Sequence, residues 1–167
     1  MPWADVLYAC DESWWDRNKL IWQHFQGLKV TWAIEAARKY GIIHAPGETG
    51  KGLGRNVLHA GGSSGYMAVN LAYFLGAAEI YLLGFDMQMT NNQTHWHGDH
   101  RNSNNPTRDM LAKWAKRFIP MWQDLHDLGI PLINCTRDTA MTIPRMALED
   151  VLNAPKPRRV LAKKRKS

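Results

Sequence analysis

At 167 residues the chain is long enough to bury one proper core, and its 45% hydrophobic and 22% charged residues are ordinary for a globular domain. The net charge of +6 belongs to a tail. Lys156, Arg158, Arg159, Lys163, Lys164, Arg165 and Lys166 supply seven positive charges with no acid after Asp150, which leaves the rest of the chain near −1. No run approaches the ~20 apolar residues of a membrane span and no signal-peptide pattern opens the chain, so a cytoplasmic protein is expected.

In chain order, Ala4 to Cys10 is a short apolar run ending at Asp11, the pattern of a buried strand. Ser13 then caps a predicted helix carrying Trp14, Trp15, Leu20, Ile21, Trp22 and Phe25, with Gly27 as its stop. Leu28 to Trp32 reads as a second strand, Ala33 to Tyr40 as a short helix ended by Gly41, and Ile42-Ile43 as another brief strand. From Ala45 to Ala60 glycine is dense and periodicity is lost, which predicts a loop or a mobile lid.

Gly61-Gly62-Ser63-Ser64-Gly65 leads into a helix from Tyr66 to Leu75 that is apolar nearly all round and ends at Gly76. Glu79 to Gly84 follows as a strand with the continuous apolar character of a parallel-sheet interior. A polar loop occupies 85–107, a helix runs from about Thr107 to Leu128, and Pro131 to Cys135 is a last strand. Pro144 is expected to open a final helix through Val151. Strands alternating with helices predict the α/β class, a mostly parallel sheet with helices on both faces. The domain spans 1–153, and 154–167 is a basic tail in which Pro155 and Pro157 break the helix and like charges repel. Cys10 and Cys135 lie far apart in apolar, strand-like surroundings and read as two buried thiols rather than a disulfide.

Ligands of such sheets sit beyond the carboxyl ends of the strands. That rule selects Asp11-Glu12, the glycine-serine turn and the loop after Gly84. Ser63, Ser64 and the amides around Gly65 would meet an anion at a helix N-terminus, where unpaired N–H groups and the helix dipole converge; the plainer reading is an N-cap serine beside turn glycines. The polar loop holds His95-x-His97-x-Asp99-His100, the ligand spacing of metallo-β-lactamase-fold hydrolases, in which two metal ions activate a water. Only His126 remains downstream for the further histidines that such a site needs, so a divalent metal on His95, His97, Asp99 and His100 stands as an alternative. Gly47 to Gly52 lacks the first glycine and the Ser/Thr of a P-loop. Most of the eight tryptophans read as core; Trp96, among polar residues, is the exception.

The run Gly62-Ser63-Ser64-Gly65-Tyr66-Met67-Ala68-Val69, continued by Leu75-Gly76-Ala77-Ala78-Glu79-Ile80-Tyr81-Leu82-Leu83-Gly84-Phe85-Asp86, resembles a known signature. It is similar to the turn, helix and strand of the bacterial CMP-sialic-acid-dependent sialyltransferases. Their wider superfamily includes archaeal 6-hydroxymethylpterin diphosphokinase-like proteins and many phage and prophage proteins. The resemblance covers about residues 1 to 152 and implies a Rossmann-like fold. It implies that Ser64 or Ser63 contacts the nucleotide of a CMP-sugar type donor, and that His100 is general base on the acceptor hydroxyl. An imidazole suits that task because its ordinary pKa of about 6.5 lies near working pH. The pterin-kinase-like pattern points instead to Thr94-His95. Family members begin with a strand and a Gly-x-Gly-Pro-Ser turn, whereas Met1-Pro2-Trp3-Ala4-Asp5 matches a point after that unit. The resemblance therefore implies a sheet truncated at its N-terminal end, with loss of activity or association with a second copy or another chain as the consequence.

The expected function is that of a nucleotide-sugar-dependent glycosyltransferase-like protein of phage or prophage type. Ser63, Ser64, Gly65 and Asp11 would hold the donor, His100 or His95 would act as base, and Asp86 would organise the loop. A non-catalytic binding protein, whose tail attracts nucleic acid weakly and in a salt-sensitive way, is the alternative from another class.

Overall fold

The computed structural model describes residues 3–90, 93–94 and 105–154. Its strands are β1 (Val6–Tyr8), β2 (Leu28–Thr31), β3 (Ile43–His44), β4 (Gly47–Thr49), β5 (Leu58–Ala60), β6 (Ile80–Leu82) and β7 (Leu132–Asn134). Its helices are α1 (Glu12–Arg17), α2 (Lys19–Gln23), α3 (Ile34–Tyr40), α4 (Ser64–Phe74), α5 (Arg108–Asp127) and α6 (Leu148–Asn153). Among the described residues every strand ladder is parallel, which bears out the α/β class, but the ladders fall into three small sheets, β1-β2-β3, β4-β5 and β6-β7. Strands of two to four residues make few ladder bonds, and the chain changes partner at Ala45-Pro46. There the Ala45 N–H donates to Thr31 and the Pro46 carbonyl accepts from Leu58.

Side-chain alternation in β1 sorts the apolar residues into two cores. Val6, Tyr8 and Cys10 join Val30, Leu58, Met67 and Leu71, so α4 lies on that face. Leu7 and Ala9 face the other way, into a cluster of Trp15, Trp22 and Ala36 contributed by α1, α2 and α3. Trp15 is wholly buried, and its indole N–H donates to the Ala9 carbonyl and to Thr31 Oγ1, which satisfies the one polar atom that this ring brings inside. The larger core joins α4 and α5 to β6 and β7 through Tyr66, Val69, Ile80, Leu82, Phe118, Met121, Leu125 and Leu132.

Three expectations are corrected. The helix from Ser13 to Phe25 is two helices, because Asn18 leaves helical geometry and its amide donates to the Trp14 carbonyl at 2.8 Å, competing with the ladder; Asp11, not Ser13, occupies the N-cap position. The glycine-rich run 45–60 contains β4 and β5, and its middle is pinned: Asn70 Oδ1 accepts from the N–H groups of Gly54 and His59, Asn70 Nδ2 donates to the Gly54 carbonyl, Tyr66 Oη donates to the Gly52 carbonyl, and Asp124 Oδ2 accepts from Leu53 N–H. Pro144 does not open a helix. Its carbonyl accepts from Asn134 N–H, the Met146 N–H donates back to Asn134, and the helix begins only at Leu148.

Elsewhere the predicted elements stand with trimmed ends. Gly41 terminates α3 at φ 65°, the left-handed geometry that glycine adopts without strain. Thr107 caps α5 by accepting from Met110 N–H at 3.2 Å, and Pro120 is held mid-helix by the buried residues Phe118 and Met121 on either side of it. Both cysteines are free thiols; Cys135 is buried and Cys10 only half-buried. Among the described residues no helix is long and apolar enough to cross a membrane.

Candidate functional site

The strands β1 and β6 both end at the first turn of α4. Ser63 is the N-cap, its Oγ accepting from Tyr66 N–H at 3.3 Å, so this side chain is engaged in holding the helix start. Ser64 turns the other way, and its Oγ is 2.9 Å from Cys10 Sγ at the end of β1. Gly65 faces the segment after β6: a Cβ on it would sit 2.7 Å from the Phe85 ring, closer than any side chain tolerates. The three residues of the turn therefore do three different things, and only the backbone of the turn is left for a ligand. The first N–H groups of any helix lack intrahelical acceptors and carry its positive dipole end.

Beside this turn opens a cavity of about 310 Å³ lined by Ser63, Gly65, Phe85, Asp86, Thr94 and Trp114, among others. Its floor is well fixed. Phe85 N–H donates to Thr136 Oγ1 at 2.8 Å, the Phe85 carbonyl accepts from Thr139 Oγ1 at 2.7 Å, and the Asp86 carbonyl accepts from Ala140 N–H. Met87 follows with φ 51°, a left-handed conformation costly for a residue with a side chain, and it re-aims the chain directly after Asp86. On the far side, Arg117 donates to the Gly61 carbonyl at 2.7 Å and so buttresses the turn from α5.

Burial, with the negative charge of Asp138 added to it, pushes the Asp86 carboxyl above the ordinary carboxylate range. The folded state thus holds this proton more tightly than the unfolded chain does. That contribution favours folding at low pH and is lost as pH rises through the carboxylate range up to the raised value. Asp86→Asn is therefore expected to raise the thermal midpoint at neutral pH and to leave it unchanged in acid. Melting curves between about pH 3 and pH 7 read this directly; a parallel drop at all pH values would mean that the carboxylate is needed for the local structure.

Asp11 lies across the turn, in a second cavity of about 610 Å³ with Cys10, Glu12, Trp32, His44 and Gly47. Cys10 lines this second cavity and not the first; its thiol is pushed up chiefly by burial, which the hydrogen bond with Ser64 partly offsets, and further by the neighbouring Asp11. The structure thus brings Ser63, Gly65 and Asp86 into one cavity, leaves Ser64 and Asp11 out of its lining, and His95, His97, Asp99 and His100 lie outside the described residues. Among the described residues no group of three or more His, Cys, Asp or Glu is placed to hold a metal ion. Sequence reasoning missed Phe85 and Trp114 as walls. Trp114 lies at the N-terminal end of the stripe Leu111, Ala115, Phe118, and its departure from a purely buried role is a tertiary matter. No family model, no curated protein and no solved structure matches this chain.

Proposed function

We propose that the cavity at the N-terminus of α4 receives the phosphate-bearing part of a nucleotide sugar, and that the chain is a Rossmann-like, sialyltransferase-like protein of phage or prophage type. The observation that carries this reading is the convergence of Ser63, Gly65 and Asp86 on one cavity at the carboxyl end of a parallel strand. A helix N-terminus supplies aligned N–H donors for the phosphate, and Phe85 and Trp114, both lining the cavity, supply apolar walls for a ring. In the transfer step the acceptor oxygen forms a bond to the anomeric carbon as the bond to the nucleotide phosphate breaks. The acceptor proton passes to an imidazole, His100 by its sequence position before α5, with His95 as the competing choice.

The test is thermal stabilisation by CMP, UDP and ATP. At about a hundredfold excess over its dissociation constant, a ligand of the folded state adds about 2.7 kcal/mol, which for this size of chain is roughly 5–10 °C. CMP is expected to give the largest shift. No shift with any of the three would end this reading.

A further inference from the structure

The outer edges of β1 and β6 are among the strand edges that have no ladder partner among the described residues. In β1 the Asp5 carbonyl accepts from Leu28 N–H and the Ala9 N–H donates to Val30, so Asp5, Leu7 and Ala9 turn toward β2 while Val6 and Tyr8 turn their N–H and C=O groups away from it. In β6 the Ile80 N–H donates to Pro131 and the Leu82 carbonyl accepts from Cys135, which leaves Tyr81 turned outward in the same way. The far edge of β7, by contrast, is occupied by Pro144 to Met146 through Asn134.

Both open edges meet the same helix. Cys10 after β1 touches Ser64, and Phe85 after β6 crowds Gly65, so both strands run antiparallel to α4 and parallel to each other. Met67 and Leu71 of α4 share a core with Val6 and Tyr8, and Val69 shares another with Ile80 and Leu82. At about 100° per residue, Ala68 falls between these two arcs, Ala72 borders the larger core, against which it packs, and Leu75 lies one turn further on. Ala68 and Ala72 are only half-buried and Leu75 is 55% exposed, although all three are apolar. On the opposite face, where α1, α2 and α3 cover β1, the β6 side shows Tyr81 at 36% and Leu83 at 57% exposure.

We infer that the space between β1 and β6 is an acceptor slot for a β-strand donated by a partner polypeptide, running parallel to both. A strand seated there bonds alternately to Val6 and Tyr8 on one side and to Tyr81 on the other, and rests its side chains on Ala68. The residues facing the slot carry no charge, so the strand must be apolar, as interior parallel strands are. The chain's own tail, with seven positive charges after Asp150, does not meet that requirement. The carboxyl end of the donated strand would emerge between Asp11 and Asp86, next to the first turn of α4, and add backbone groups to the candidate site. This inference rests on edge geometry and stands apart from the nucleotide reading.

Amide hydrogen exchange tests it. In the protein alone the amides of Val6, Tyr8 and Tyr81 are expected to exchange far faster than those of Leu7 and Leu82. A synthetic peptide of alternating valine and isoleucine, flanked by lysines, is expected to slow the three exposed amides by about tenfold or more. The same peptide with proline at its centre, which lacks the donor, is expected to protect them less. Ala68→Trp, and separately Ala68→Phe, fill the slot and are expected to abolish the protection while the melting transition persists. Full protection without peptide at high dilution, protection that grows with protein concentration (a second copy seated instead), equal protection by the proline peptide, or none at saturating peptide would each overturn the inference.

Discussion

Asn70→Leu is expected to destabilise the protein by about 3–5 kcal/mol, although leucine is the better helix former and nearly the same size. Asn70 is wholly buried in α4, and its amide satisfies three backbone groups: the Gly54 N–H at 2.9 Å, the His59 N–H at 3.0 Å and the Gly54 carbonyl at 2.9 Å. Leucine offers none of these, and each orphaned buried group costs about 1–3 kcal/mol, offset where the loop swings out to water. Gly54 itself is fitted to this contact, since a Cβ there would lie 2.9 Å from Asn70 Oδ1. Urea unfolding measures the loss. Hydrogen exchange in Gly52 to Leu58 should accelerate with it, because Asn70 is one of the pins that hold this run on the helix. A loss below about 1 kcal/mol would show that the loop is held mainly by Tyr66 and Asp124.

Phe118→Ala is expected to cost a comparable amount, about 3–5 kcal/mol, through lost burial and the cavity left behind. The ring is fully buried and makes edge-to-face contacts with Tyr66 at 5.2 Å and with Phe85 at 5.7 Å between centroids. It therefore ties α5 to both walls of the candidate site, the first turn of α4 and the segment after β6. Denaturant midpoints give the stability term, and Phe118→Leu, which keeps most of the volume, should recover more than half of it. If nucleotide binding is established, Phe118→Ala should weaken it beyond the global destabilisation, since Phe85 is then free to shift into the space that the Phe118 ring leaves. Equal ligand affinity in the two variants would separate the core from the site.

Much of the fold was legible because it follows from local chemistry. The apolar runs at Val6–Tyr8, Leu28–Thr31, Ile80–Leu82 and Leu132–Asn134 announce buried strands, and glycines at 41, 76 and 129, all with positive φ, announce where elements stop. The glycine-serine turn announced a helix start, and Ser63 caps it. The errors have a common source. The brief strands β4 and β5 exist because a partner strand and Asn70 hold them, and no periodicity marks three residues that pair only across a long loop. Asn18 breaks a run of good helix pattern through a side-chain bond that competes with the backbone. Pro144 satisfies the helix-start rule, but the edge of β7 takes it first.

For the site, the sequence by itself determined the neighbourhood: a helix N-terminus with Ser63 and Gly65, and a loop beginning at Asp86. The division of labour within it was settled only by the tertiary structure, because it depends on which side of one helical turn each residue points. Ser63 caps, Ser64 reaches Cys10, and Gly65 makes room for Phe85. The same holds for the open edges of β1 and β6. A strand's composition says that it belongs inside a sheet, but whether both of its edges are paired is a property of its neighbours, which only the assembled chain supplies.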